Sequence, residues 1–536
     1  MNTRSIKVIN IIWSAVFSAC IVIGYKIEDT VFSHLGIGIL VMIWCIISIT
    51  VYTLLAKYDK HLADHIRTSP EVQEIFPKKT FIYSFIAFIA AYIPVLLASY
   101  PGFFCYDANT ETYEVFTFRY SNHHPIVHEL ILANSLRIGM KLFGNYNAGV
   151  TIYVVIQMII VSAVFAFIIA TLRQFGASRI RLLVSWGFLA FFPAIQMFTV
   201  CTTKDVIFSA GIVLFTTILL RSQYIKSRTA AYVMFFSVCM ILFFRNNGIY
   251  ILPIFCVIVF TFFKRNRRLL IPVSTAMILY IVTVESLIAL LPAKRGETGE
   301  MLSVPMQQLA RVHQLNRGSF TDSDLDILYS MIPGSVLENY NPKLADDVKY
   351  NFLEDNFKSD PGLYASLWWR TFLKNPKIYA EAFLIMTDGY WCPGIPITGY
   401  EGKVINSLTY GESAYFQYDS EPPVISAPIF KKLNLFYKSI SLDIRWQQIP
   451  VLGIILTPAL YIWIFLFSMR NAIVHKSRMT IIYIVPLLLL MTLFLGPIAL
   501  VRYALPFYMI VPIMVSIQAI CSAKQTSSSQ KMNSSQ

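Results

Sequence analysis

The stretch Lys264-Arg265-Asn266-Arg267-Arg268 runs directly into LLIPVSTAMILYIVTVESLIALL, residues 269–291, and its reading decides the class of fold. Across that second segment the only charge is Glu285. A helix needs about 20 apolar residues to cross a hydrocarbon core of roughly 30 Å, and a soluble fold has no use for such a run. The basic cluster before it has the composition of a cytoplasmic connector, where Lys and Arg concentrate.

Comparable runs recur on both sides. Apolar spans are expected near 8–25, 33–56, 80–99, 148–171, 181–199, 205–220, 229–244, 249–263, 269–291, 449–469, 479–496 and 503–521. The chain of 536 residues is 56% hydrophobic and 14% charged, with a mean hydropathy of +0.59. Soluble domains carry roughly 25% charged residues. The expectation is an all-α integral membrane protein of about 12 transmembrane helices with a mainly helical extracytoplasmic domain. The span at Val8–Tyr25 follows Arg4 and Lys7 but lacks a small-residue cleavage site, so it reads as a retained helix.

The net charge of +14 sits in short clusters between spans, which points to topology and anionic lipid rather than to nucleic acid. With a cytoplasmic N-terminus, the connectors 57–79, 172–180, 221–228, 264–268 and 470–478 are inside, and each is basic. The loop 100–147 and the long segment 292–448 are then outside. Four regions follow: residues 1–291 as a membrane module of nine spans with the external loop 100–147, 292–448 as an extracytoplasmic helical domain, 449–521 as spans ten to twelve, and 522–536 as a disordered cytoplasmic tail. Within the external segment, Thr321-Asp322-Ser323-Asp324 has the pattern of a helix cap before Leu325–Ile332, and Asn375-Pro376 opens a run to Met386. The eight cysteines form no CxxC pair or disulfide framework, and only Cys105, Cys201 and Cys392 fall outside spans.

The densest chemistry follows the third span. Tyr100-Pro101-Gly102-Phe103-Phe104-Cys105-Tyr106-Asp107 ends a helix at the membrane surface and leaves a carboxylate there. Asp107 in that position can accept a proton from an attacking hydroxyl, although an ordinary solvated loop acid has the same signature. Asn122-His123-His124-Pro125 comes next, with His128 and Glu129 beyond it. If His124 caps a helix with Pro125 at its first position, His128 lies one turn along the same face. That spacing suits a metal, but no third ligand is fixed, and hydrogen bonding of His123 and His124 to phosphate or sugar is the stronger reading. Leu130–Phe143 is amphipathic and reads as a juxtamembrane helix.

Three cations occur at outer span ends, where the charge rule does not put them: Lys204 beside Asp205, Arg245 beside Asn246, and Arg502 before Tyr503. Snorkelling explains any one of them. Three on the face that carries Asp107 suit a phosphate or diphosphate instead. In the external segment, Gln308, Asp388, Tyr390 and Trp391 offer contacts for sugar hydroxyls and ring faces, or equally a helix face and a turn packed on the membrane.

Taken together, the Tyr100–Asp107 turn and acid, the amphipathic stretch after it and the Arg502-Tyr503-Ala504-Leu505-Pro506 start of the last span resemble the GT-C class of membrane glycosyltransferases. The Asn-His-His-Pro block, Lys204-Asp205, the Pro-x-Gln-Gln segment and Gly389-Tyr390-Trp391 are similar to a bacterial branch of that class. The resemblance spans about residues 80–510. It implies transfer of a sugar from a polyprenyl-phosphate carrier to a glycan or lipid acceptor in the cell envelope, on the extracytoplasmic face of the cell membrane. It implies Asp107 as the base or acceptor-orienting group, and Lys204, Arg245 and Arg502 on the carrier phosphate with His123 and His124. Asn246, Asp205, Gln308, Asp388, Tyr390 and Trp391 would be substrate contacts. The branch is not uniform about metals, and a single loop acid argues against a metal cofactor. A flippase or transporter of a lipid-linked sugar would share the outer cations but needs polar or broken helices at the midplane. A polysaccharide polymerase or ligase is the nearer rival.

Overall fold

The computed structural model describes residues 3–28, 31–64, 72–73, 75–225, 229–294, 298–398, 428–474 and 478–516. The tail expected at 522–536 lies outside the described residues. Among them the regular structure is helical, with two isolated bridges and no strand.

The first half comprises α1 (Thr3–Ile27), α2 (Ile37–Asp64), α3 (Lys78–Ala98), α4 (Ala108–Phe116), α5 (Ile126–Phe143), α6 (Tyr146–Gln174), α7 (Arg179–Phe191), α8 (Pro193–Thr199), α9 (Asp205–Ser222), α10 (Thr229–Phe244), α11 (Asn247–Phe262) and α12 (Leu270–Leu290). The segment beyond contains α13 (Ser303–Asn316), α14 (Asp322–Met331), the short helices α15 (Gly334–Glu338), α16 (Asp346–Tyr350) and α17 (Glu354–Ser359), then α18 (Pro361–Lys374) and α19 (Pro376–Trp391). The chain closes with α20 (Pro428–Leu442), α21 (Arg445–Gln448), α22 (Pro450–Leu456), α23 (Pro458–Val474), α24 (Ile484–Leu493) and α25 (Val501–Met509).

Among the described residues, six helices are long and apolar enough to cross a membrane: Arg4–Ile27, Ile37–Lys60, Lys78–Ala98, Tyr146–Gln174, Asp205–Ser222 and Lys264–Leu290. Two bent pairs, α7 with α8 at 56° and α22 with α23 at 66°, raise the number to eight at most. The expectation of about twelve spans is therefore corrected. Four of the apolar runs fold as helices of 10–17 residues, Thr229–Phe244, Asn247–Phe262, Met479–Leu493 and Val501–Ser516. At 1.5 Å per residue, 16 residues rise only about 24 Å, short of a hydrocarbon core of roughly 30 Å. Both bends fall where a proline, Pro193 or Pro458, opens the second helix. A proline ring clashes with the preceding turn and supplies no N–H, which favours a kink or a break at that point.

Large apolar side chains remain on the outside, among them Ile39, Met42 and Ile49 on α2 and Ile271, Ile278 and Ile281 on α12. In water such faces would drive aggregation; facing lipid they need no partner. The chain is a helical membrane protein on these grounds. Its main core runs through α3, α6, α9, α10 and α25. The segment after α12 has a second, separate core that includes Met306, Leu309, Leu328, Ile332, Leu367 and Tyr379. The expected cap is present there: Thr321 Oγ1 accepts from Asp324 N, and Asp324 Oδ2 accepts from Thr321 N. Asn375-Pro376 opens α19 as expected, and α19 extends to Trp391.

Helices α5 and α6 cross where Gly139 meets Gly149, and a Cβ on either would overlap the backbone of the other helix. Small residues let membrane helices approach this closely. Gly187 on α7, by contrast, has nothing within 4 Å of an added Cβ. Gly139→Val should lower the yield and melting temperature of the detergent-solubilised protein, overpacking costing about 1–3 kcal/mol or more. Gly187→Ala should leave both unchanged, and equal behaviour of the two variants would contradict this packing.

Candidate functional site

Two loops build the site, and the backbone joins them before any side chain does. After α3 the chain turns at Gly102, whose φ of +126° favours glycine and where a Cβ would meet Val154. Phe103 N then donates to Val200 O at 2.9 Å, and Phe103 O accepts from Thr202 N at 3.0 Å. The loop ahead of α9 is held from beneath by α6, where Gln157 Nε2 donates to the carbonyls of Phe198, Thr199 and Cys201. Cys105 and Cys201 meet across the junction with their Sγ atoms 3.3 Å apart. This junction places Asp107, at the start of α4, opposite Lys204, at the start of α9.

The Lys204 ammonium lies 2.5 Å from Asp107 Oδ2, 2.8 Å from Glu111 Oε1 and 3.1 Å from His124 Nδ1. Glu111 Oε2 is 2.8 Å from His128 Nδ1, and His128 Nε2 pairs with Tyr153 OH at 2.9 Å. Arg502 brings α25 into the group: Nη1 is 3.2 Å from Asp107 Oδ2, and the guanidinium stacks between Tyr106 and Tyr503. Arg245, where α10 ends, donates to Asp205 Oδ1 at 2.8 Å and lies over the Tyr503 ring. Asp205 also accepts from Thr203 Oγ1 at 2.9 Å. Three carboxylates thus face three cations, and only Asp107 among the six keeps appreciable exposure, with 26% of its side chain accessible.

Burial opposes every one of these charges, and the partners decide the balance. Burial alone would raise the Asp107 carboxyl, but Arg502 and Lys204 outweigh it and hold the group well below the usual carboxylate range. Glu111 is likewise lowered against burial, by His128 and Lys204. Burial depresses Lys204, yet Asp107 and Glu111 raise it above the ordinary lysine value. His124 is pushed down to about 3 by burial and by the neighbouring ammonium, so it is neutral and accepts from Lys204.

The structure brings together most of the residues singled out from the sequence. Asp107, Lys204, Asp205, Arg245, Arg502 and His124 form the group itself. At its edge, Asn246 Nδ2 donates to His123 O at 3.3 Å, and His123 Nε2 lies 3.6 Å from Glu300 of the following segment. Four expected substrate contacts lie elsewhere. Gln308 is in the second core, where its Oε1 accepts from Trp368 Nε1 and its Nε2 donates to Tyr379 O. Asp388 is buried beside Lys343, 3.5 Å away. Tyr390 is buried, its hydroxyl donating to Ile498 O and accepting from Leu500 N, and so offers no ring face to a sugar. Trp391 donates to Thr387 Oγ1, and its carbonyl accepts from Trp463. The side-chain polar groups of Gln308, Tyr390 and Trp391 have partners within the protein there, whereas Asp388 Oδ2 has the Lys343 ammonium at 3.5 Å and no hydrogen bond among the described residues.

Two expectations about the loop are also revised. Pro125 is itself the N-cap of α5, so His124 lies before the helix and turns to Lys204, while His128 on α5 turns to Glu111. Asp107 is not a single loop acid: Glu111, one turn along α4, joins it on the same ammonium. Their i, i+4 spacing was a readable signal for that pairing. Asp107, Glu111 and His124 offer ligand atoms within 4.8 Å of one another, a potential metal set, but Lys204 Nζ contacts all three.

The family model of DUF6020, described as a family of unknown function, matches residues 115–533. The chain belongs to the DUF6020 family. The matched span contains His124, His128, Lys204, Asp205, Arg245 and Arg502, whereas Asp107 and Glu111 precede it. No curated protein and no solved structure matches this DUF6020 chain.

Beside the group, Glu129 is buried and neither carboxylate oxygen has a hydrogen-bond partner among the described residues. Burial, reinforced by Glu111 and Glu114, pushes its carboxyl up from 4.5 to about 10, with Lys204 opposing. The folded chain therefore keeps a proton that the unfolded chain releases above its ordinary value, and this contribution to stability falls as pH rises toward 10. Glu129→Gln should flatten the decline in melting temperature between about pH 6 and pH 9. An unchanged slope in that variant would show that Glu129 is ionised in the fold.

Proposed function

We propose that this DUF6020 protein is a membrane glycosyltransferase that moves a sugar from a polyprenyl-phosphate carrier to a hydroxyl of an envelope glycan or lipid. The observation that carries the reading is the convergence of an ionised, partly accessible Asp107 with Lys204, Arg245 and Arg502 where helices α9 and α25 begin and α10 ends. The basic composition of the connectors 57–79, 172–180, 221–228 and 470–478 favours a cytoplasmic place for them and supports an extracytoplasmic site. The resemblance to the GT-C class points the same way.

The cations are paired with carboxylates but not exhausted by them. Arg502 Nε is buried with no acceptor among the described residues. A guanidinium offers five N–H donors in a fixed fork, so a phosphate can bind one edge while a carboxylate holds another. In the reaction the bond between the sugar's anomeric carbon and the carrier phosphate breaks, and negative charge collects on the phosphate. Fixed guanidinium groups stabilise that charge without having to reorganise. The acceptor oxygen forms the new bond to the anomeric carbon, and its proton passes to Asp107. A carboxylate held so far below the usual range is a weak base. Its role is therefore to orient the hydroxyl as an acceptor and to take the proton late, once the new bond has made the oxygen acidic. A good leaving group held by cations makes that order workable.

The test is a radiolabel assay in membranes supplied with polyprenyl-phosphate sugars, comparing wild type with Asp107→Asn and Arg502→Lys. Asp107→Asn should lose at least ~100-fold in donor consumption at an equal level of folded protein, with a lower melting temperature because Lys204 and Arg502 lose a charged partner. Arg502→Lys should also fall, since an ammonium cannot reproduce a bidentate fork. Near-normal turnover in Asp107→Asn would remove Asp107 from the chemistry. A donor that stays intact yet crosses the bilayer only when the protein is present would replace transfer with flipping.

A further inference from the structure

The potential metal ligands and the Lys204 ammonium claim the same place. Asp107 Oδ2, Glu111 Oε1 and His124 Nδ1 are the three atoms within hydrogen-bond reach of Nζ, at 2.5, 2.8 and 3.1 Å. Two carboxylate oxygens and an imidazole nitrogen are the donor types that hold zinc or manganese. Metal–oxygen and metal–nitrogen bonds run near 2.0–2.2 Å. Two of the three distances, to Glu111 and His124, exceed that range by more than half an ångström and match hydrogen bonds from an ammonium. Three further features show a site built around one cation. Glu111 is buried and braced from behind by His128, which Tyr153 holds in turn. The backbone junction at Phe103 and Cys201 fixes Asp107 and Lys204 on opposing loops. His124 is aimed inward from a third segment, ahead of α5.

We propose that Lys204 is a tethered replacement for a divalent metal: its ammonium fills a three-ligand cation site formed by Asp107, Glu111 and His124, and the protein works without a metal at this position. The inference concerns what occupies the cage and does not depend on which reaction the site performs. It has a functional consequence all the same. A divalent ion would present open coordination positions to a phosphate, whereas an ammonium has three protons and spends them on the three cage atoms. Any anion bound here is then held by Arg502 and Arg245, and Lys204 serves to keep Asp107 and Glu111 in place and ionised. Lys204 is in this sense a positioning residue.

If an ammonium stands in for a metal, deleting it should return the cage to metal binding. Full-length protein in detergent is incubated with Mn²⁺ or Zn²⁺ alone, desalted, and examined by elemental analysis and thermal unfolding. Wild type is expected to retain no stoichiometric metal and to keep its melting temperature in a chelator. Lys204→Ala is expected to melt lower, because two carboxylates are left close together, and to regain stability with one bound ion per chain. The double variant Lys204→Ala/Glu111→Gln should lose that ion. Wild-type protein carrying a metal that a chelator strips, with a fall in melting temperature, would overturn the proposal. A folded Lys204→Ala that binds neither ion would overturn it too. Should Lys204→Ala fold under neither condition, the metal content of wild type decides alone.

Discussion

A lysine ammonium buried among two carboxylates and an imidazole is the interaction on which the rest of the site depends. Removing one partner of a buried ion pair costs about 3–5 kcal/mol, because the survivor is left charged in a poor solvent. Lys204 therefore has to reach Asp107 and Glu111, and the fold has to bring residues a hundred positions apart into register to allow it. The bridge between Phe103 and Cys201 does this with backbone hydrogen bonds, and Gln157 holds the second loop by three carbonyls. Helix α25 closes the arrangement with Arg502, which shares Asp107 with Lys204.

The same electrostatics explain why these helices end where they do. A charged side chain inside the hydrocarbon is costly, so Lys204, Arg245 and Arg502 lie at helix starts or ends. Asp205 is then buried in the first turn of α9, where the positive end of the helix dipole favours a carboxylate. Arg245 and Thr203 complete its coordination. Short helices fit this picture: α10 and α25 deliver an arginine to the cluster rather than simply spanning a layer.

What the sequence made legible follows from the same physics. Asp107, Lys204, Arg245 and Arg502 stood out because charge is rare in so apolar a chain, and a rare charge at a span end calls for a reason. Gln308, Tyr390 and Trp391 misled because sequence shows a polar group but not its partner. Only the fold reveals that Gln308 is satisfied by Trp368 and Tyr379. Glu111 was overlooked although it sits one helical turn from Asp107, since a carboxylate four residues on is informative only once a helix is known to begin at Ala108. The span count failed for a related reason. Hydropathy measures composition over a window, whereas crossing depends on unbroken length: four apolar runs fold as helices of 10–17 residues, and Pro193 and Pro458 break two more that read as continuous.

The pairing of every cation also changes how an anion would be bound. Three free cations would make a strong but unselective electrostatic trap, and one with a large penalty when empty. Three cations matched by three carboxylates are close to neutral as a group, so the empty site is stable within low-dielectric surroundings. Under the proposed reading, a phosphate would then be recognised by geometry, through guanidinium edges that the carboxylates leave over, rather than by net charge. Tyr106 and Tyr503, stacked on Arg502, hold that fork in one orientation. Such a site gives up attraction at a distance and gains discrimination at contact, which suits a ligand that arrives already confined to the membrane.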